Sequence, residues 1–293
     1  MATPQTLATY RLECRRLLHD ATQKFWSNTE LNDYINAARD RVASDTGCIR
    51  RLVTAYLSEG IEQYPIGGVT GFDLTAAGSG YADGTYALGI GASPGGADAT
   101  ATYTATGGAV VSIALTYTGL YYETAPAITF PSGGGTGAAA TAGIIPDQTL
   151  DIMNITPLWG NQRVPLNYQP WTEFNAKWRA WTINPQRPVC WSRYGTAQSA
   201  AFIGPVPDQT YQTEFDTAIT PDDLTDDTTV DRQMRFPYSM PVAYYACWKA
   251  KQKQQAYQEG EIFLTDYKRK ILEAQASVQM RRIPNPYGGY SGG

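Results

Sequence analysis

Apolar positions recur at helical spacing towards both ends of the chain and alternate at strand spacing in between. Leu7, Tyr10, Cys14, Leu17 and Leu18 share one face of a helix predicted over residues 6–18, with Arg11, Arg15 and Arg16 opposite and Thr3-Pro4 ahead of it as a start signal. Ser27 and Glu30 read as a capping box before Leu31, Tyr34, Ile35, Ala38 and Val42, and Gly47 is placed to end that second helix. Near the C-terminus, Val242, Tyr245 and Trp248 mark a third long helix, with Ser239 as its cap and Pro241 in its first turn. Phe263, Tyr267 and Ile271, with Leu272 beside them, mark a fourth, and Gly260 between the two stripes predicts a kink or tight turn.

Strand signals fill the middle. The runs Leu52–Leu57 and Ile61–Pro65 flank Ser58-Glu59-Gly60, which predicts a hairpin with a three-residue loop. Leu150, Ile152 and Asn154 alternate with Asp151, Met153 and Ile155. Trp171, Phe174, Trp178 and Trp181 predict a short amphipathic helix after Pro170. The pieces VCWSRYG, SAAFIGPVP and YQTEFDTAI, split by glycine and proline, predict an antiparallel meander.

Between residues 66 and 147 the pattern changes. This stretch holds 18 of the 28 glycines and no lysine or arginine. It repeats with a period of 41: Gly67, Val69, Phe72, Leu74-Thr75, Gly78 and Tyr81 correspond to Gly108, Val110, Ile113, Leu115-Thr116, Gly119 and Tyr122. Ala99-Thr100-Ala101 recurs as Ala140-Thr141-Ala142. Paired apolar positions at a fixed period point to two related supersecondary units, not to a Gly/Ala linker. The pattern as a whole predicts an α+β protein: a helical bundle core with antiparallel β-hairpins, built discontinuously from residues 1–65 and 148–280. To it are added an inserted all-β domain over 66–147 and an extended C-terminal arm over 281–293.

The arm reads RRIPNPYGGYSGG. Two prolines and four glycines exclude a helix or a stable strand. Ile283, Tyr287 and Tyr290 are apolar anchors with nothing nearby to bury them, Pro284 and Pro286 bias the chain to an extended form, and Arg281 and Arg282 stand where the last helix ends. These features predict an arm that orders on a partner.

Charge sharpens this. The net charge is −4, which argues against an overall electrostatic grip on nucleic acid. Residues 241–293 carry eight Lys/Arg against four Asp/Glu, so that part is +4 and the rest −8. Lys249, Lys251 and Lys253 on one side, and the acidic loop with Asp222, Asp223, Asp226 and Asp227 on the other, are candidates for charge contacts between neighbouring subunits. Four cysteines at 14, 48, 190 and 247 lack the spacing of a zinc site or a disulfide framework. No signal peptide is visible, and no apolar run approaches the ~20 residues of a membrane span.

Candidate chemistry is sparse. His19, the single histidine, adjoins Asp20, but no serine or cysteine nucleophile can be set beside the pair. The acidic loop lacks the order of a calcium loop, and Gly78-Ser79-Gly80 is followed by no phosphate-binding lysine. No cofactor, metal or catalytic residue is expected.

Outside the glycine-rich insert, the order of features resembles the head-to-tail adaptor (connector) proteins of tailed bacteriophages. The stretches that carry the resemblance are LLHDATQKFWSNTELNDYINAARDRV, GIEQYPI, PLWGNQRVPLNYQPWTEF, AAFIGPVPDQTYQTEF and RFPYSMPVAYYACWKAK with the helix and tail after it. The resemblance implies a structural virion protein at the head–tail interface, made in the host cytoplasm. Such proteins form a ring, typically twelve-fold, beneath the portal protein. They extend the channel through which double-stranded DNA passes without sequence-specific binding, and they offer a platform to tail or nozzle proteins. The C-terminal segment commonly docks on the portal. The rival reading is a glycan-binding or glycan-hydrolysing virion protein that uses the β insert, for which hydrolysis would need paired carboxylates about 5–10 Å apart.

Overall fold

Five helices are found among the described residues: α1 (Leu7–Leu17), α2 (Asn28–Thr46), α3 (Trp171–Lys177), α4 (Met240–Lys253) and α5 (Tyr257–Gln279). The structure is a computed structural model that describes residues 5–179, 184–195 and 199–279. The chain divides into a helical unit, Met1–Ile49 with Thr220–Gly293, and a β unit, Arg50–Ile219.

In the helical unit, local sequence sets the helix ends. The Thr6 hydroxyl accepts from the Thr9 amide at 3.2 Å, and the Thr6 amide donates to the Thr9 hydroxyl at 2.6 Å, a reciprocal cap for α1. Ser27 caps α2 by accepting from the Glu30 amide at 3.2 Å, but the Glu30 carboxylate turns to Tyr34 and Lys253 and leaves the box half made. Gly47 closes α2 at a φ of 58°, where a side chain is disfavoured.

On α1 and α2 the buried faces follow the predicted periodicity, with Leu7, Tyr10 and Cys14, and Leu31, Ile35, Ala38 and Val42; on α4 the buried face is Val242, Ala243, Ala246, Cys247 and Ala250, and Tyr245 and Trp248 of the expected stripe are only half-buried. The small residues of α4 bring it close to α1. The Cys14 thiol reaches the Ala243 carbonyl at 3.8 Å, and the Cys247 thiol reaches the Cys14 carbonyl at 3.7 Å. The break between α4 and α5 falls at Gln255, with a φ of 60°, and not at Gly260. Gly260 lies inside the first turn of α5, where an added Cβ would touch Gln252, Lys251 and Trp248 of α4 at 3.5–3.6 Å. Tyr267, Ile271 and Ala274 are buried, whereas Leu272 faces outward.

The β unit corrects the expected fold class. Strand makes up 35% and helix 27%, so the protein does not have a helical bundle core. One four-stranded sheet has the order β1 (Arg50–Leu57), β15 (Tyr211–Ile219), β10 (Thr149–Trp159), β11 (Gln162–Arg163). The other has the order β12 (Asn167–Tyr168), β13 (Cys190–Tyr194), β14 (Ala200–Gly204), β2 (Gln63–Pro65). Leu57, Ile152, Ile155, Tyr211 and Phe215 of the first sheet cluster with Tyr64, Trp191, Ala201 and Ile203 of the second. Each large apolar side chain buried there contributes roughly 1.5–3 kcal/mol.

The expected hairpin at 52–65 is also replaced. β1 pairs antiparallel with β15, from Arg50↔Ala218 to Leu57↔Tyr211, while β2 pairs with β14. Of the expected meander, β13 and β14 form an antiparallel pair and β15 joins the other sheet. Val53, Ala55 and Leu57 do alternate inward as strand periodicity requires.

The glycine-rich segment forms seven strands: β3 (Val69–Ser79), β4 (Gly84–Ala87), β5 (Gly89–Ile90), β6 (Thr100–Thr106), β7 (Ala109–Tyr117), β8 (Ile128–Thr129) and β9 (Thr136–Ile144). β3 pairs with β9, β4–β6–β7 form a three-stranded sheet, and β5 pairs with β8. Its core gathers Val69, Tyr81, Leu88, Tyr103, Val110, Tyr122 and Ile144. The segment's two ends meet: the Gly67 amide donates to the Ile145 carbonyl at 2.7 Å, and the Ile145 amide to the Gly68 carbonyl at 3.1 Å.

Candidate functional site

The acidic loop of the helical unit is held in shape from α1 and α2. Arg39 lies next to Ala38 and Val42 on the buried side of α2 and is itself buried. Its Nε donates to Asp231 Oδ2 at 2.8 Å and its Nη2 to Asp231 Oδ1 at 3.1 Å. The Tyr10 hydroxyl donates to the same carboxylate at 3.3 Å, as do the amides of Gln233 and Met234 at 3.1 and 2.9 Å. Burial, followed by the Asp231 charge, pushes the Tyr10 phenol well above its usual range. The third arm of Arg39 reaches the Asp222 carbonyl at 2.7 Å. Asn36 grips Leu224 in both directions, accepting from its amide at 3.1 Å and donating to its carbonyl at 3.3 Å.

This anchoring was hidden from sequence reading. The one available signal was a charged residue, Arg39, beside the apolar stripe of α2. A hollow of about 600 Å³ lies over the anchored loop, lined by Arg39, Asp222, Asp223, Leu224 and residues 229–233.

The four carboxylates singled out from sequence have different surroundings. Asp227 pairs with Arg11. Asp226 accepts from the Thr228 amide at 2.9 Å and from the Thr228 and Thr229 hydroxyls, and these donors, led by the Thr228 amide, hold its carboxyl below the usual range. Asp222 accepts from Gln233 Nε2 at 2.9 Å. Asp223 is exposed and has no ion pair among the described residues. Burial, and after it the Asp223 charge, raises the pKa of Asp40 on α2.

The lysines of α4 are similarly divided. Lys253 pairs with Glu30 of α2, which lowers the Glu30 pKa, and Lys251 bonds Glu259 of α5 at 2.7 Å. Lys249 sits 6.0 Å from the centre of the Tyr34 ring and makes no ion pair among the described residues. The two sets therefore do not pair with each other within the chain. Arg281, Arg282, Ile283, Pro284, Pro286, Tyr287 and Tyr290 of the arm, and Trp181 of the predicted short helix, lie outside the described residues.

His19 and Asp20 do not form a base dyad. Asp20 is buried and accepts from Arg15 at 3.1 Å and from the amides of Lys24, Phe25 and Trp26 at 2.8, 3.4 and 3.3 Å. Burial alone would raise its pKa; the three amides and Arg15 outweigh it and hold the carboxyl below the usual range. His19 is exposed at a φ of 56°. The loop that Asp20 organises presents Phe25, which is 71% exposed and was not singled out from sequence.

Among the described residues no group of three or more His, Cys, Asp or Glu is placed to hold a metal ion. None of the described helices is long and apolar enough to cross a membrane.

Comparison with known families decides the assignment. The model of the SU10 adaptor protein matches residues 97–287, which is 191 of the 293 residues. The chain belongs to the SU10 adaptor protein family. No curated protein matches it. The family match supports a phage adaptor role. It begins just before β6 and runs through the second 41-residue repeat into the arm, so the SU10 adaptor pattern is not confined to the segments outside the insert.

Proposed function

We propose that this SU10 adaptor is the head-to-tail adaptor of a tailed phage, a structural protein that forms a ring below the portal. The ring extends the DNA channel and carries the attachment platform for tail or nozzle proteins. Family membership is the observation that carries this reading. Charge supports it: a channel wall must let phosphates pass, and a firm grip on DNA needs clustered, unpaired cations. The net charge is −4, and Lys251 and Lys253 are already paired within the subunit. Asp223 and Lys249, the members of the two charged sets least engaged internally, are our leading candidates for contacts between neighbours. Electron microscopy of the protein mixed with portal rings tests the reading. Closed rings stacked coaxially on the portal, twelve-fold by family resemblance, are expected; a protein that stays monomeric and unattached overturns it.

We assign portal docking to residues 281–293. The anchors Ile283, Tyr287 and Tyr290 would each contribute on the order of 1–3 kcal/mol, and the prolines reduce the entropy lost on docking. A ring multiplies that modest affinity because many arms engage together. Truncation after Met280 is expected to leave subunit unfolding nearly unchanged while abolishing co-sedimentation with portal rings. Full portal binding by the truncated protein rules the arm out. We read the protein as non-enzymatic; polysaccharide turnover lost on substituting one carboxylate would contradict that.

A further inference from the structure

The two repeats, offset by 41 residues and spanning 67–107 and 108–147, do not fold side by side. Their first strands are β3 and β7, and their last strands are β6 and β9. β3, the first strand of repeat one, pairs with β9, the last strand of repeat two. β7, the first strand of repeat two, pairs with β6, the last strand of repeat one. In neither repeat does the first strand pair with its own last strand. The short β5–β8 pair also joins the two repeats, through Gly89↔Thr129 and Ile90↔Ile128.

Side chains follow the same exchange. The Tyr122 hydroxyl of repeat two accepts from the Ala99 amide at 3.0 Å and donates to the Gly91 carbonyl at 3.2 Å, both in repeat one. Its counterpart Tyr81 lies against Gly133 and Gly135 of repeat two, where an added Cβ would come within 3.1 and 2.3 Å of the ring. The counterpart glycines match as well. A Cβ on Gly119 would meet the Ala99 amide nitrogen at 2.6 Å and the Ala97 carbonyl at 2.7 Å, in repeat one. A Cβ on Gly78 would meet the Ala138 nitrogen at 2.5 Å and the Thr136 carbonyl at 2.7 Å, in repeat two. Both tyrosines and both glycines thus contact the opposite repeat, although the partners of Gly78 stand two positions before the equivalents of Ala99 and Ala97.

We propose that the repeat is a self-complementary docking unit whose partner is a second copy of the same repeat, and that this chain carries two copies in series so that the interface closes within one molecule. The connection is the two-residue turn Gly107-Gly108, with φ of 64° and 85°, which joins β6 to β7. A single repeat has no partner for its first strand, and its tyrosine loses the contacts it makes with the opposite repeat. The pairing strands offer little that opposes a like copy: β6, β7 and β9 carry no charge, and β3 carries only Asp73. Apart from Asp73, the lysines and other charges that normally guard open strand edges are absent from them. A chain with one repeat must therefore recruit another chain. This inference is independent of the adaptor assignment.

The test deletes residues 67–107 from the full chain, joining Ile66 to Gly108, and adds Ala114→Cys and Thr141→Cys. In the intact chain Asp73 is the register partner of Thr141, and the 41-residue offset places Ala114 where Asp73 stands. On oxidation, a disulfide between two chains is expected, seen as a dimer on a non-reducing gel. Mixing chains that carry only one or the other cysteine is expected to give the mixed dimer. A link within one chain overturns the proposal. Should the shortened chain fold poorly, protease protection of residues 108–147 that rises with protein concentration supports pairing in trans, and protection absent at every concentration overturns it. The intact chain with Asp73→Cys and Thr141→Cys is expected to link within itself, and failure there also counts against the exchange.

Discussion

Asp231 takes two hydrogen bonds from Arg39, at 2.8 and 3.1 Å, with each side chain only 1% exposed. A charge left alone at such a depth is costly. Asp231→Ala is expected to destabilise the helical unit by about 3–5 kcal/mol, because the Arg39 guanidinium is stranded. Replacing both residues by apolar ones of similar volume is expected to cost much less. Denaturant unfolding followed by helical circular dichroism checks this, and an unchanged midpoint for Asp231→Ala would contradict it.

Gly78 and Gly119 hold corresponding positions in the two repeats, at φ of 67° and 63°. Alanine at either site meets backbone strain of roughly 1–2 kcal/mol and also a backbone clash, so the loss should exceed the strain alone. Gly96, at a φ of 72° but facing open space, separates the two effects. Gly96→Ala is expected to be mild, and Gly119→Ala to expose residues 66–147 to protease. Equal behaviour of the two variants would show that packing at Gly119 is unimportant.

Residues 67–146 are proposed to be an appendage. Their ends are already joined by hydrogen bonds between Gly67, Gly68 and Ile145. The chain there also meets β1 and the residue after it: the Thr70 hydroxyl accepts from the Tyr56 amide at 3.0 Å and the Thr70 carbonyl accepts from the Ser58 hydroxyl at 2.8 Å. Replacing 67–146 by a short turn is expected to give a soluble protein with unchanged helical signal, at some cost from these lost bonds. Aggregation, or loss of helical circular dichroism, would show that the two four-stranded sheets need the module.

Asp20 links the loop before α2 to pH. Its folded pKa lies below the ordinary 3.8. Its contribution to stability is therefore complete above that value and is lost as pH falls through the lower, folded pKa. Exchange protection at the Lys24 and Trp26 amides is expected to fall in that acid window. Asp20→Asn is expected to remove the acid dependence, and an identical acid profile in the variant would dismiss the assignment.

Much of the helical unit was legible from sequence because helix contacts are local. The stripes Leu7–Tyr10–Cys14 and Leu31–Ile35–Val42 follow from spacing alone, and Ser27 and Gly47 mark the ends of the second by the hydrogen bonds a helix end lacks. The 41-residue repeat was equally legible, since identity at a fixed offset needs no structure. Which strands pair was not. Leu57 and Ile61 looked like two arms of one hairpin, but β1 found its neighbour at Ala218, far along the chain, and β2 found its own at Ala200. Alternation states which side of a strand is apolar; it does not state which other apolar side will cover it. Charge behaved in the same way. Lys251, Lys253 and Asp227 read as surface groups awaiting a neighbour, and the fold brought Glu259, Glu30 and Arg11 to them. Local spacing determined the elements and the duplication. Tertiary structure decided the pairings, because burial and charge neutralisation depend on groups that only the folded chain brings together.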